Sequence, residues 1–477
     1  MACLGGILLN TQSTTAKSSG KRNLFIFTLL LGTFSMSISQ SSLSTAYPTL
    51  MRTFNVTADT VQWLTTGFML VMSILIPVSP WLLHNIPFKR LFQGIIAIFF
   101  IGTLFCILAP NFPMLLIGRI LEAIAVGIIF PSYQTVLLTI TPKKQRGGTM
   151  GLAGLVMGSA LAVGPIISGV LLQFFSWQGL FILFLIMMVI TFVLSLGAIK
   201  DVMTLEKSSI DGLSVVLAAG FPGVLWVLTE FVHGGFHSWL AWVILVASII
   251  GMVWFVGRQL RASKPLLQLK VFASKIYTMS VFLTGISYIA LIVTTIIMPL
   301  YFQQVLHISP LMSGLSLVPA AVVLSLLNPI SGRLLDKVGG TFVIRIGMCL
   351  IIVGMGLMAL FANAQLLGIA ILAAIITESG NAFVMMPAVT WGANALTKDL
   401  LADATAVTTT VRQILGSLGV MVATEILTVV TQLHQATAGA AGAQLLGFRV
   451  TFIVFMLVGV LGLLLTLTMG HLSKTQA

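Results

Sequence analysis

Charge is what this sequence has least of. Only 7% of its 477 residues are Asp, Glu, Lys or Arg, against 58% hydrophobic ones, whereas a soluble globular chain carries about 25% charged residues. A soluble domain is therefore excluded, and the chain reads as an all-α polytopic membrane protein. Cysteine is nearly absent as well: Cys3 lies near the N-terminus and Cys106 and Cys349 within apolar runs, so no disulfide framework is expected. The six histidines are scattered, with no ligand partner at helical spacing, so a metal site is not expected either. No glycine-rich loop followed by Lys and Ser or Thr occurs, which excludes a built-in nucleotide-driven motor of that kind. The drive is then an ion gradient, a concentration gradient or a partner, and no cofactor is expected. Residues 1–22 lack the basic, apolar, small order of a signal peptide, and Cys3 has no apolar segment before it to make a lipoprotein cleavage site.

What is present is a series of apolar runs. About 20 apolar residues cross a hydrocarbon core, and fourteen runs fit: 24–45, 61–83, 90–109, 114–137, 149–172, 179–199, 212–232, 239–260, 277–302, 311–335, 342–361, 366–390, 405–431 and 448–470. The net charge of +13 raises nucleic acid as a partner, but the basic residues are dispersed between spans and read as topology signals instead. Lys17, Lys21, Arg22, Lys89, Arg90, Lys143, Lys144, Arg146, Lys200, Lys207, Arg258, Arg261, Lys264, Lys270, Lys275, Lys337, Arg345, Lys398 and Lys474 fall on one side if the spans alternate. Only Arg52 and Arg449 fall on the other. Both termini are then cytoplasmic. The linkers 200–211 and 258–276 bracket spans seven and eight, giving a six-plus-two-plus-six plan. Its parts are a tail (1–22), a six-helix bundle (23–200), a linker with two extra helices (201–276), a second six-helix bundle (277–470) and a tail (471–477). Among the outer loops, only 432–447 is longer, and its Ala/Gly/Gln composition suggests mobility.

Four carboxylates sit within apolar spans: Glu122, Glu230, Glu378 and Glu425. An ionised acid costs about 3 kcal/mol or more in a bilayer, so each should face a cavity or a partner, or hold a proton. Arg119 and Glu122 are three apart and share a helical face; they form either a static buried pair or a pair that opens on protonation or when a cationic substrate arrives. Glu378 belongs to a polar island, Thr377-Glu-Ser-Gly-Asn381, that suits a cavity wall. Glu230 and Glu425 lie nearer span ends and read as interfacial, Glu425 also as a proton carrier. Gly154, Gly158, Gly164 and Gly169 with Ser168 leave thin helix faces, and Pro165 favours a bend unless neighbours hold the helix straight. Met69, Met72, Trp63, Phe383, Met385, Met386 and Trp391 suit a soft pocket for lipophilic cations, or ordinary packing and lipid contact.

Several of these stretches resemble a known family. Gly151–Gly169, ending Gly164-Pro165-Ile-Ile-Ser168-Gly169, resembles the antiporter motif of drug exporters in the major facilitator superfamily. Gly332-Arg333-Leu-Leu-Asp336-Lys337-Val-Gly339-Gly340 resembles that superfamily's gating loop, in which an acid and bases at helix ends latch one face; a merely solvated loop is the alternative. The first-half copy has His84 where the acid belongs and Pro87 in place of the second glycine. Gly118-Arg119-Ile-Leu-Glu122-Ala-Ile-Ala-Val-Gly127 resembles the fourth-helix motif Arg-x-x-Gln-Gly-x-Gly, with Glu for Gln and Ala for the two glycines. In the first span, Ile38-Ser39-Gln-Ser-Ser-Leu-Ser44-Thr-Ala-Tyr-Pro48 has Ser39 where such exporters carry an acid. Pro265-Leu266-Leu267, Tyr301–Leu306, Ser309–Leu315 and Val411-Arg412-Gln413-Ile414-Leu415-Gly416-Ser417-Leu418-Gly419 extend the similarity over nearly the whole chain. The blocks are most similar to fourteen-span drug:proton antiporters of the lincomycin-resistance and quaternary-ammonium-resistance types.

That resemblance implies a major facilitator fold with 14 transmembrane helices and a proton-coupled multidrug exporter, not an enzyme. Its partners would be small amphiphilic drugs or cations, protons and the lipid bilayer, with no nucleic acid and an outer partner protein left open. The proton coupling and substrate residues implied are Glu122, Arg119, Glu378 and Glu425. The gate is Arg333, Asp336 and Lys337, and the antiporter motif is Gly154, Gly158, Gly164, Pro165 and Gly169. A dedicated metabolite transporter and a non-transporting membrane sensor are the alternatives.

Overall fold

The computed structural model describes residues 3–206, 209, 211–234, 238–262 and 265–468, and every regular element among them is helical. Lys207, Lys264, Lys474 and the tail 471–477 lie outside the described residues. The first part of the chain forms α1 (Cys3–Ser42), α2 (Tyr47–Phe54), α3 (Ala58–Leu75), α4 (Ser79–Asn85), α5 (Phe88–Ile107), α6 (Phe112–Ile140), α7 (Arg146–Phe174) and α8 (Gln178–Ala198). Then come α9 (Gly212–Ala218), α10 (Gly220–Gly234), α11 (Trp239–Arg261), α12 (Lys275–Gln304), α13 (Pro310–Val338), α14 (Gly340–Phe361), α15 (Leu367–Asn394) and α16 (Leu401–Thr468).

Among the described residues, eleven helices are long and apolar enough to cross a membrane, and α3 with α4, bent by 50° at their junction, makes a twelfth span. The bend has a local cause. Pro77 and Pro80 each remove a backbone donor and crowd the preceding turn. The expected span 212–232 is likewise divided, into α9 and α10. A methyl added at Gly220 would lie 2.8 Å from the Ser248 carbonyl oxygen, so the bare glycine lets α10 cross α11 closely.

The segment 432–447, expected to be a mobile loop, is helical except at Gly439 (φ 69°, ψ 168°). Its alanines are strong helix formers, and only glycine adopts those angles without strain. Beyond the break the chain runs back along itself. A methyl at Gly447 would meet Thr431 Oγ1 at 2.7 Å and the Leu427 carbonyl at 3.0 Å.

Helices α1, α3, α5, α6, α7 and α8 pack on one another, as do α12 to α16. One apolar core spreads through the first group and onto the facing ends of the second; another is built from α12, α14, α15 and α16. The two groups meet where α7 lies along α13, α15 against α7, and α16 against α6 and α4, with α10 bridging α3 and α16. Helix α11 leaves Trp239, Trp242, Val253 and Trp254 exposed, an apolar face that suits hydrocarbon and not water.

Candidate functional site

The Arg119–Glu122 pair forms as its spacing predicts, but it is not alone. Both side chains are buried and joined by an ion pair on α6. Ser39 on α1 donates to Glu122 Oε2 at 3.2 Å and accepts from Arg119 Nη1 at 2.9 Å. Thr103 on α5 donates to Glu122 Oε1 at 2.7 Å, and the guanidinium lies over the Phe68 ring of α3, 4.4 Å from its centroid. Four helices therefore converge on one ion pair. Close backbone approach makes this possible. A methyl at Gly102 would meet the Gly118 carbonyl at 2.7 Å, and one at Gly127 would meet the Met72 carbonyl at 2.7 Å, so α5 and α3 press against α6 on either side of the pair.

The cluster is rich in acceptors for the cation and donors for the anion, yet Arg119 Nε has no partner. Burying two charges is costly unless each is paired and hydrogen-bonded. Here the carboxylate is satisfied on both oxygens and the guanidinium is not. Removing either partner would leave the other charged and stranded, at about 3–5 kcal/mol. A proton on Glu122, or a cation competing with Arg119, changes that balance directly.

The polar island on α15 is also buried. Asn381 Nδ2 donates to Glu378 Oε2 at 3.1 Å, and Ser287 on α12 donates to Asn381 Oδ1 at 2.7 Å. A methyl at Gly380 would lie 2.8 Å from the Ile351 amide nitrogen and one at Gly347 2.7 Å from the Gly380 carbonyl, which seats α15 tightly on α14. Glu425 is half-buried on α16 and makes no ion pair among the described residues. The structure thus does not join it to Glu122 or Glu378.

The segment Gly332–Gly340 engages a partner that its sequence does not name. Asp336, at the end of α13, accepts from the backbone N–H groups of Gly147 at 2.8 Å and Gly148 at 2.7 Å. These are free donors in the first turn of α7, where a carboxylate is favoured by both hydrogen bonding and the helix dipole. Arg333 and Lys337 stay exposed and do not pair with Asp336. Beside this contact, buried Arg146 donates to Asn394 Oδ1 at 2.9 Å and Lys143 to the Asn394 carbonyl at 3.1 Å. The first-half copy behaves differently: Lys89 N–H donates to Asp201 at 2.9 Å and Glu206 N–H to the His84 carbonyl at 2.8 Å.

The antiporter motif divides by contact. Methyls at Gly154 and Gly158 would lie 2.6 Å from Asn328 Cγ and 2.9 Å from Ser325 Oγ, so this face of α7 packs on α13. Gly147 and Gly151 continue that face; Gly151 opens the stretch that carries the motif, and Gly147, one turn earlier, lies outside it although its spacing extends the same stripe. Gly164 turns instead to Ser41 on α1, and Gly169 faces open space. Pro165 sits inside a helix that runs unbroken from Arg146 to Phe174. The methionines and aromatics do not form one pocket. Met72 packs on Gly127, Met386 on Gly154 and Trp391 on Gly340, Phe383 lies beside Gly347, and Trp63 and Met69 are exposed. Among the described residues no three His, Cys, Asp or Glu side chains gather as metal ligands.

Comparison with known proteins places this geometry. The chain is 37% identical over 450 residues to the uncharacterized MFS-type transporter YcnB of Bacillus subtilis, covering 94% of this chain and 95% of that protein. It is 33% identical over 454 residues to the lincomycin resistance protein LmrB of Listeria monocytogenes, covering 93% and 95%. In fold it is similar to the proton:xylose symporter XylE bound to 6-bromo-6-deoxy-D-glucose, with a TM-score of 0.64, 13% identity and coverage of 94% and 95%. The family profile described as Major Facilitator Superfamily matches residues 29–420. This all-helical chain, a multi-pass membrane transporter and not an enzyme, belongs to the Major Facilitator Superfamily.

Proposed function

We propose that this transporter exports small amphiphilic or cationic compounds in exchange for protons, by alternating access, across a bacterial plasma membrane. The observation that carries the reading is Glu122: a carboxylate at membrane depth, fully buried, held by Arg119, Ser39 and Thr103 from three helices. A proton arriving from the outer side neutralises it and weakens its hold on a cationic substrate; release of that proton inward readies it for the next molecule. Glu378 is the second candidate carrier, its carboxylate held by Asn381, which Ser287 fixes in turn. Relatives named for lincomycin resistance support the drug-export reading.

The proposed topology has fourteen crossings in a six-plus-two-plus-six plan with both termini cytoplasmic. To the twelve spans by length and composition it adds α9 with α10 as one crossing, and counts α16 as two, divided at Gly439. The parts on either side of Gly439 are each long enough for about 30 Å of hydrocarbon at 1.5 Å per residue. Asp336 on the Gly147 and Gly148 amides then latches the cytoplasmic face, and the structure is read as closed on that side.

The test uses inverted vesicles made acidic inside. Lipophilic cations and lincosamide-like drugs are added and the pH gradient is followed. Substrate-dependent collapse of the gradient supports antiport. A broad panel without response, in protein shown to be folded and inserted, overturns proton-coupled export and favours a dedicated metabolite carrier.

A further inference from the structure

Arg412 lies eleven residues into α16, about 16 Å along the helix at 1.5 Å per residue, and so at membrane depth. Among the described residues it forms neither an ion pair nor a hydrogen bond, and its Nε is enclosed without a partner. Its guanidinium lies 5.2 Å from the ring centroid of Tyr288 on α12, and the Tyr288 hydroxyl donates to Gln413 at 2.9 Å. A methyl at Gly416 would lie 2.6 Å from the Tyr288 ring, so the ring is pinned where it is. On α6, which packs against α16, Tyr133 is buried. Its neighbour Gln134 donates to the Tyr133 hydroxyl at 3.2 Å and leaves its own Oε1 unpartnered. Glu122 is held by Arg119 and Glu378 by Asn381, and Glu425 lies thirteen residues further along α16, about 20 Å at 1.5 Å per residue.

We infer that Arg412 is a recognition subsite for an anionic oxygen group, a carboxylate or its equivalent, on a substrate with an aromatic body. Intramembrane cations are expensive and mark ligand paths when no protein anion neutralises them. Arginine presents a planar fork of donors suited to a carboxylate, and the Tyr288 ring beside it supplies aromatic surface next to the charge. Arg412 is carried by α16, which packs against α6, so a ligand there lies near the meeting of the two helix groups. A simple lipophilic cation would be repelled at this point. Among the amphiphiles of the export reading, this subsite favours those that carry an acidic group, zwitterions included. Its place in transport rests on the export reading above; binding itself does not.

The test is equilibrium binding to the purified full-length protein in lipid nanodiscs, using naphthaleneacetate, naphthaleneacetamide and naphthylethylamine. The acid should bind at least about tenfold tighter than the amide or the amine, a difference of about 1.4 kcal/mol. In Arg412→Gln that preference should fall to within about twofold, while Arg412→Lys, which keeps the charge, should retain part of it. Unfolding temperatures of the variants separate lost binding from lost fold, and the wild-type ratio stands even if Arg412→Gln does not fold. An acid bound no tighter than amide and amine, including no measurable binding of any, overturns the subsite. So does an acid preference that survives intact in folded Arg412→Gln. Acid preference without gradient collapse would refute the antiport reading and leave the subsite standing; gradient collapse without acid preference would do the reverse.

Discussion

Ser39 and Glu122, on two different helices, share a hydrogen bond of 3.2 Å, and the same hydroxyl accepts from Arg119. They are also two of the positions at which the chain departs from the exporter pattern it resembles, which places an acid at 39 and Gln at 122. The structure brings the departures together. In this chain one carboxylate on α6 faces one guanidinium, and the α1 position supplies a hydroxyl bonded to both. The absent first-span acid is therefore no argument against proton coupling.

This relationship is testable by moving the acid. Glu122→Gln should reduce uphill export at least tenfold and leave downhill exchange, with some loss of stability because Arg119 is left buried without its counter-charge, a change of about 3–5 kcal/mol when a buried pair is broken outright. The double variant Ser39→Asp/Glu122→Gln should recover much of the uphill rate. Gradient-driven uptake into inverted vesicles measures both. Full export by folded Glu122→Gln would remove this carboxylate from the coupling scheme.

A second expectation concerns Asp336. Asparagine keeps the shape but loses the charge that strengthens its bonds to the Gly147 and Gly148 amides. Charge-assisted bonds contribute about 1.5–3 kcal/mol each, and the half-exposed setting of Asp336 reduces that; a net change of about 2 kcal/mol shifts the closed population roughly thirtyfold. Spin labels on exposed Lys144 and Lys337 should report a longer distance in Asp336→Asn. An unchanged distance distribution would show that the glycine contact alone keeps this face shut.

Some of this was legible in the sequence, for identifiable reasons. The apolar runs marked the spans because hydrocarbon demands length and composition, and Arg119 and Glu122 could be paired because their spacing fixes a common helix face. Ser39 and Thr103 could not be assigned to Glu122, because their approach depends on where α1 and α5 cross α6, which Gly102 and Gly118 permit without announcing it. The partner of Asp336 was invisible for a different reason: it is backbone N–H, which every residue but proline carries, almost two hundred positions away. The segment 432–447 misled because alanine and glycine together suit a loose loop or a helix with one sharp break, and only the φ of Gly439 distinguishes them.

Outside the spans, Asp211 caps α9 and accepts from Arg258 Nε at 2.6 Å and from Ser214 Oγ at 2.6 Å. The hydrogen bond from Arg258, then that from Ser214, holds its carboxyl at about 2, below its ordinary 3.8. The folded value is the lower one, so the stabilisation is complete above about pH 4 and is lost as pH falls towards 2. Asp211→Asn should therefore lower the unfolding temperature by a small, constant amount from pH 5 to 8, and the gap to the wild type should close only on acidification below pH 4. Added salt should shrink it at neutral pH, since the pair is exposed. A gap that varied between pH 5 and 8 would assign the effect to another group.

The glycines of α7 give the sharpest contrast, because identical residues in one helix have opposite surroundings. A side chain at Gly154 collides with Asn328 and Met386, whereas nothing lies within 4 Å of the Cβ position of Gly169. If α7 must slide or rock on α13 during transport, its thin face is what permits it. Gly154→Val should then abolish export and weaken the packing of α7 on α13, while Gly169→Ala should leave transport near the wild-type rate and alter stability by no more than about 0.5 kcal/mol, with any change favouring the better helix former. Export rates and unfolding temperatures of the two variants, side by side, decide it. Equal loss in both would mean that the motif acts through the flexibility of α7 and not through its contact with α13.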